Sequence, residues 1–165
     1  MIYTGDEMPE EFTKKRTAEI SGLSLRAVQY YTERGLVTPE LDPGEGRGST
    51  RLYSMTNLHE FALIKALSQY GMAYSQLRDI MDHVRMMLFS KGTSAFRKQR
   101  EPGQKDGPFL AIYRLSNGEL STDEPPMGLL EDVINNEKII TASSVLVVNI
   151  ADIYKKIRLE LWGET

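Results

Sequence analysis

A mainly α chain, with a winged arrangement of short helices at its N-terminal end and a small α+β module at its C-terminal end, is what this sequence predicts. Three observations predict it. Two short segments with helical apolar spacing lie between Thr13 and Gly35, each opened by a hydroxyl residue and closed by Gly. Two longer ones follow between residues 54 and 89. Beyond a polar stretch rich in chain breakers, residues 108–165 turn to β-branched runs, an Asn-Gly turn and one last amphipathic segment. A length of 165 residues holds one domain or two small ones. Apolar content of 41% and aromatic content of 8% suit a folded chain rather than a disordered one.

Several classes are excluded at the outset. No apolar run approaches the ~20 residues of a membrane span, so no membrane partner is expected. The N-terminal MIYTGDEMPEEF is acidic and lacks the apolar core of a secretory signal, which makes the cytoplasm the expected location. Cysteine is absent, which removes disulfides, thiolate metal sites and cysteine nucleophiles.

The net charge of −3 is unevenly spread. Residues 14–100 carry fourteen Lys and Arg against eight Asp and Glu, whereas residues 101–165 carry six against eleven. A basic segment between acidic ones fits a local phosphate-binding surface.

In chain order, residues 1–12 show no period and are expected to form an acidic tail, with order only near Phe12. Thr13 caps a first helix without a capping box, since Arg16 stands three positions on. Ala18, Ile20 and Leu23 give it an apolar side, and Gly22 stops it. Ser24 caps a second helix that ends at Gly35, with Leu25, Val28, Tyr31 and Thr32 on its inner face. Arg26, Gln29, Tyr30 and Glu33 fall mostly on the outer one. Two short helices about a Gly-containing turn, with polar readers near the start of the second, make a helix-turn-helix.

The two prolines and three glycines of Pro39–Thr50 forbid a helix there. Flanked by Leu36-Val37 and Arg51-Leu52-Tyr53, this stretch predicts a hairpin wing with Arg47 at its tip. Ser54 or Thr56 opens a third helix to about Gln69, ended by Gly71, and Ser75 caps a fourth that can run to Phe89.

A linker is expected over residues 91–107, separating a DNA-reading domain over 13–90 from a module over 108–165. In that module Phe109–Leu115 alternates as a strand, and Asn117-Gly118 signals a hairpin. Pro125-Pro126 predicts a helix over Met127–Asn136 that buries Leu129, Leu130, Val133 and Ile134. Ser144–Ile150 predicts a buried strand, and Asp152–Trp162 an amphipathic last helix.

Three stretches together resemble the MerR-type regulators. Ser24-Leu25-Arg26-Ala27-Val28-Gln29-Tyr30-Tyr31 through Gly35-Leu36-Val37 is similar to that family's recognition helix. Arg51-Leu52-Tyr53-Ser54 resembles its wing exit, and Gly71 with the Ser75 spacing resembles its fourth helix. The match runs over residues 12–84. It implies a winged helix-turn-helix that binds double-stranded promoter DNA as a homodimer and distorts it for bacterial RNA polymerase.

Residue by residue, the resemblance implies that Arg26 reaches base edges or adjacent phosphates and that Tyr30 contacts phosphate. It implies that Arg47 and Arg51 serve the wing, and that Tyr53 orients the wing and touches backbone. Thr13 and Lys15 sit at a helix start, where backbone amides favour phosphate. Gln29 stands where many relatives carry Arg, which shifts base preference toward adenine. The family's long pairing helix has no counterpart in residues 85–107, which hold no sustained heptad pattern. The last helix, with Ile153, Ile157, Leu161 and Trp162, is the substitute pairing surface.

A DNA-bending architectural protein of the excisionase type is the alternative on the same fold. No catalytic residue, metal site or cofactor is expected. His59 and His83 lie 24 residues apart without ligand-spaced partners, and the acidic pairs Asp123-Glu124 and Glu131-Asp132 are solvated charge. The cluster Met81, Met86 and Met87 predicts core or subunit contact.

Overall fold

The computed structural model describes residues 11–44, 50–89, 109–121, 127–128 and 133–163. It is mainly helical with small antiparallel sheets, as the sequence predicts. The chain packs as two compact units, Met1–Ala66 with Lys156–Thr165, and Leu67–Lys155.

The first unit contains β1 (Phe12–Thr13), α1 (Lys14–Ser21), α2 (Leu25–Glu33), β2 (Leu52–Tyr53) and α3 (Met55–Ser68) as far as Ala66. Both expected caps form. The Thr13 hydroxyl accepts the Arg16 N–H at 3.3 Å, and the Ser24 hydroxyl accepts that of Ala27 at 3.1 Å. Gly22 closes α1 at φ 70°, a left-handed conformation that costs a residue with a Cβ about 1 kcal/mol or more. After α2, the Leu36 N–H returns to the Tyr31 carbonyl at 2.8 Å, and Leu36 and Val37 are buried.

Order near Phe12 is as expected, and one detail differs. Phe12 is buried in β1, which pairs antiparallel with β2 in the register Phe12↔Tyr53 and Thr13↔Leu52. Leu25 is 48% exposed rather than packed. Helical side chains lean toward the helix N-terminus, and at the first helical position that carries Leu25 past the packed face.

The wing's base is closed by Asp42 and Leu52, which exchange both backbone hydrogen bonds. Beside it, Asn57 of α3 is almost wholly buried and fully used. Its Oδ1 accepts the N–H groups of Glu40 (3.0 Å) and Ser54 (3.2 Å). Its Nδ2 donates to the Thr38 carbonyl (3.0 Å) and to Glu60 (3.1 Å). Ser54 is the cap of α3, accepting the Asn57 N–H and donating its own hydroxyl to Glu40. Phe61 packs edge-on against the Tyr53 ring, with centroids 5.5 Å apart. The hydroxyls of Thr17 and Ser21 are buried without a hydrogen-bond partner, and nothing in the described residues accounts for them.

The second unit contains α4 (Tyr74–Phe89), β3 (Phe109–Arg114), β4 (Leu120–Ser121), β5 (Met127–Gly128), α5 (Glu137–Ile140), β6 (Ser144–Asn149) and the start of α6 (Ile150–Trp162). β3 is the centre of the sheet. β6 pairs with it over six residues, from Phe109↔Asn149 to Arg114↔Ser144. On the other edge β4 and β5 take opposite ends of β3. The Asn-Gly hairpin forms as expected, with Leu115 and Glu119 closing it at 2.9 Å and the Asn117 side chain accepting the Glu119 N–H.

Four expectations for this part of the chain are corrected. Tyr74, not a residue after Ser75, begins α4. Ala73 takes the cap position in place of Ser75, and Gln76 reaches back to the Ala73 N–H at 2.9 Å, the N3 half of a capping box. Met127–Gly128 is a strand rather than the start of a helix, because β4 covers only one end of β3 and leaves the other open to pairing. Helical geometry is present at residues 133–134, where Val133 is buried but Ile134 is exposed. Leu129 and Leu130 lie outside the described residues. Among the described residues β6 is an edge strand rather than a fully buried one, with Val148 buried and Val145 and Val147 open. The side chain of Asn149 caps α6 through the Asp152 N–H at 3.1 Å.

Two stability predictions follow from the first unit. Asn57→Ala leaves the N–H groups of Glu40 and Ser54 and the Thr38 carbonyl without their partner. Loss of about 2–4 kcal/mol is expected in urea denaturation, and a loss under 0.5 kcal/mol would show that water replaces the amide. Burial lowers the His59 imidazole from its ordinary 6.5 to about 4. The unfolded chain therefore binds the proton first, and stability falls as the pH drops from about 6.5 to about 4. The expected loss is on the order of 2 kcal/mol. The acid limb of a pH–stability profile should flatten in His59→Gln and would be unchanged if another group sets it.

Candidate nucleic-acid interface

α2 presents Arg26, Gln29, Tyr30 and Glu33 on its exposed side, while Val28 is fully buried beneath. Glu33 connects this face to the wing. Its carboxylate accepts the Gln29 Nε2–H at 2.8 Å and lies 4.0 Å from Nη1 of Arg51. Gln29 in turn accepts from Nζ of Lys14 at 3.4 Å. The start of α1, the middle of α2 and the exit of the wing are thus joined by one line of charged and amide groups. Sequence reasoning set Glu33 on the outer face of α2 but gave neither it nor Lys14 a role. The Glu33-to-Gln29 spacing of four residues along one helix was the signal available for half of it.

The remaining side chains are placed as follows. Arg26 and Lys15 are exposed, and Thr13 spends its hydroxyl on the α1 cap. Tyr30 is exposed, with the Arg34 guanidinium 5.6 Å from its ring centroid and the Tyr31 ring edge-on at 5.4 Å. Desolvation, with Tyr30 alongside, raises the Tyr31 phenol above its ordinary value, so it stays un-ionised.

Arg51 also donates from Nε to the Pro43 carbonyl at 3.3 Å. Gly44 makes room for it, since a Cβ there would stand 2.7 Å from Arg51 Cγ, and its φ of 72° is left-handed as well. Tyr53 is 0% exposed, and its hydroxyl lies 3.1 Å from that of Thr32 on α2. A ring so enclosed has no surface for phosphate, which leaves the orienting half of its expected role. Arg47 lies outside the described residues.

Of the residues proposed for pairing, Ile157 is buried within its own chain and is unavailable to another copy. Ile153, Leu161 and Trp162 are half-buried. Met81 is core and Met86 is exposed. Among the described residues no group of three or more His, Cys, Asp or Glu could hold a metal ion. No described helix is long and apolar enough to cross a membrane.

Two helices about a glycine turn, a wing based on Asp42 and Leu52, and a basic line running between them define a winged helix-turn-helix. Residues 12–84 match the family model described as MerR HTH family regulatory protein. An uncharacterized HTH-type transcriptional regulator of Mycobacterium tuberculosis is 28% identical over 107 residues, covering 58% of this chain and 48% of the relative. The HTH-type transcriptional regulator CueR of Escherichia coli is 37% identical over 54 residues, covering 33% of this chain and 38% of its own. The matches thus span half or less of these relatives' length.

Glu33 places a negative charge on the line between Lys14 and Arg51. Glu33→Gln keeps an amide oxygen for Gln29 and releases Arg51 from its counter-charge. Binding to DNA of any sequence is expected to tighten by about threefold to tenfold, with a salt slope steeper by up to about one. Titrations at several salt concentrations check this; equal slopes would mean Arg51 does not meet phosphate.

Proposed function

We propose that this chain is a sequence-specific DNA-binding transcriptional regulator that acts in the cytoplasm as a dimer on promoter DNA. The observation that carries the reading is the line Lys14–Gln29–Glu33–Arg51, which ties recognition helix and wing into one surface with Arg26 and Tyr30 exposed beside it. Arg26, at the second position of α2, reads base edges, because a planar guanidinium matches guanine bidentately. Tyr30, Lys15 and Arg51 position the protein on phosphates and carry little sequence information. Thr13 contributes through the α1 N-terminus it caps. Gln29 exchanges its partners Lys14 and Glu33 for a base on binding.

The match of residues 12–84 to that family model supports this reading, as does the similarity to HTH-type transcriptional regulators. One helix-turn-helix covers a half-site, which is why a second copy belongs to it. RNA polymerase is the further partner proposed, through the distorted promoter.

The test is a binding series on an inverted repeat recovered by selection from random duplexes. Arg26→Ala is expected to cost about 1–3 kcal/mol on the selected site and to relax preference at one base position in each half. Equal losses on selected and scrambled duplexes would make Arg26 a phosphate contact instead.

A further inference from the structure

The surface that joins two copies is a separate question from the reading head, and the second unit holds a feature the proposed function does not use. β6 pairs with β3 along one edge only, and among the described residues its other edge has no backbone partner. The strand is six residues long and keeps an unbroken register with β3, so no bulge turns its free edge away. Val145 and Val147, on one face, are 39% and 37% exposed.

Thr141–Ile150 contains no charged residue and no proline. Free edges in monomeric proteins are ordinarily guarded by a charge, a proline, a bulge or a very short strand. The opposite edge of this sheet follows that rule, since β4 and β5 are two residues each. β6 has none of these guards.

We propose that β6 pairs antiparallel with β6 of a second copy about a two-fold axis, so that two sheets become one across the dimer. This rests on the dimer reading above and names its surface. A strand is its own complement only in this arrangement, in which each contact occurs twice. With the axis beside Leu146, Val145 stands opposite Val147 of the partner subunit, and the four valines of one face close over one another.

A ladder of six residues is small beside the roughly 1,000 Å² of a specific interface, and exposed apolar side chains near the strand extend it. Ile140 of α5, four residues before the strand, is the most exposed large apolar residue described, at 70%. The last helix is a poorer seam, because Ile157 is spent inside its own chain.

The full chain is tested by sedimentation velocity from 1 to 100 μM. The wild type is expected to be dimeric, and Val145→Lys/Val147→Lys monomeric with an unchanged circular-dichroism spectrum. On DNA, the double variant is expected to keep its affinity for a single half-site and to lose at least tenfold on the full inverted repeat.

Leu146→Cys provides a measurement that does not depend on the lysine variant folding. The natural chain has no cysteine, and facing strand residues are about 4.5–5.5 Å apart, within disulfide reach. Oxidation is expected to give a covalent dimer that still binds the full site. A double variant that remains dimeric, or a Leu146→Cys chain that stays uncrosslinked, overturns the seam and leaves the dimer reading intact. A wild type that is monomeric in solution and binds the repeat as single copies overturns both.

Discussion

The side-chain amide of Asn57 fixes where the wing begins relative to the helix that precedes it. The chain leaves α2 through Leu36 and Val37, passes Thr38 and Glu40, makes the wing and returns at Ser54. Asn57 binds backbone on both sides of that excursion, from Thr38 and Glu40 before it and from Ser54 after it. Few side chains could do this, because the position needs two donors and a two-fold acceptor on one planar group. Asp in its place would lose both donors and set a third carboxylate beside Glu40 and Glu60. The tie between Tyr53 and Thr32 adds a second fixed point, from the wing exit directly to the recognition helix. α2 and the base of the wing are therefore held as one rigid surface, which the proposed reading of DNA by both elements requires.

On that surface the basic and amide groups are not idle. Lys14 holds Gln29, Gln29 holds Glu33, and Glu33 faces Arg51. Exposed pairs of this kind contribute about 0–1 kcal/mol to stability, so their exchange for DNA partners is inexpensive. Their effect is to order long side chains before DNA arrives, which reduces the entropy lost on binding. In the proposed reading Glu33 also opposes phosphate contact with every sequence alike, and so trims affinity that carries no information. Arg26 lies outside this line, consistent with a group kept for base edges.

Legibility followed the range of the interaction. Thr13, Ser24, Gly22, Gly71 and Asn117-Gly118 act on neighbours within four residues, and each was readable from the residues themselves. The family resemblance over residues 12–84 was readable for a related reason, since its motifs are short and lie in order. What was hidden depends on partners far along the chain. Asn57 looks like an ordinary first-turn residue until Thr38 and Glu40 are brought to it. Met127–Gly128 followed a proline pair that suited a helix start, and only the open end of β3 made it a strand. A β-branched run such as Ser144–Ile150 reads as buried because composition does not show whether both edges of a strand are covered. The start of α4 at Tyr74 rests on Gln76 accepting the Ala73 N–H, a choice between two local starts that the residues alone left open.

The proposed half-site reading constrains whatever joins two copies, because successive half-sites repeat at about 34–36 Å or multiples of it. A seam of apolar side chains alone can slide, and a sliding seam would blur that spacing. A strand ladder cannot. Shifting β6 against its copy by one residue turns Val145 and Val147 to the opposite face and mismatches every hydrogen bond, so the register is fixed in discrete steps. The lack of charge in Thr141–Ile150 is then a requirement of the contact rather than an unguarded edge. In the proposed seam the strand takes the place of the heptad pattern that residues 85–107 lack.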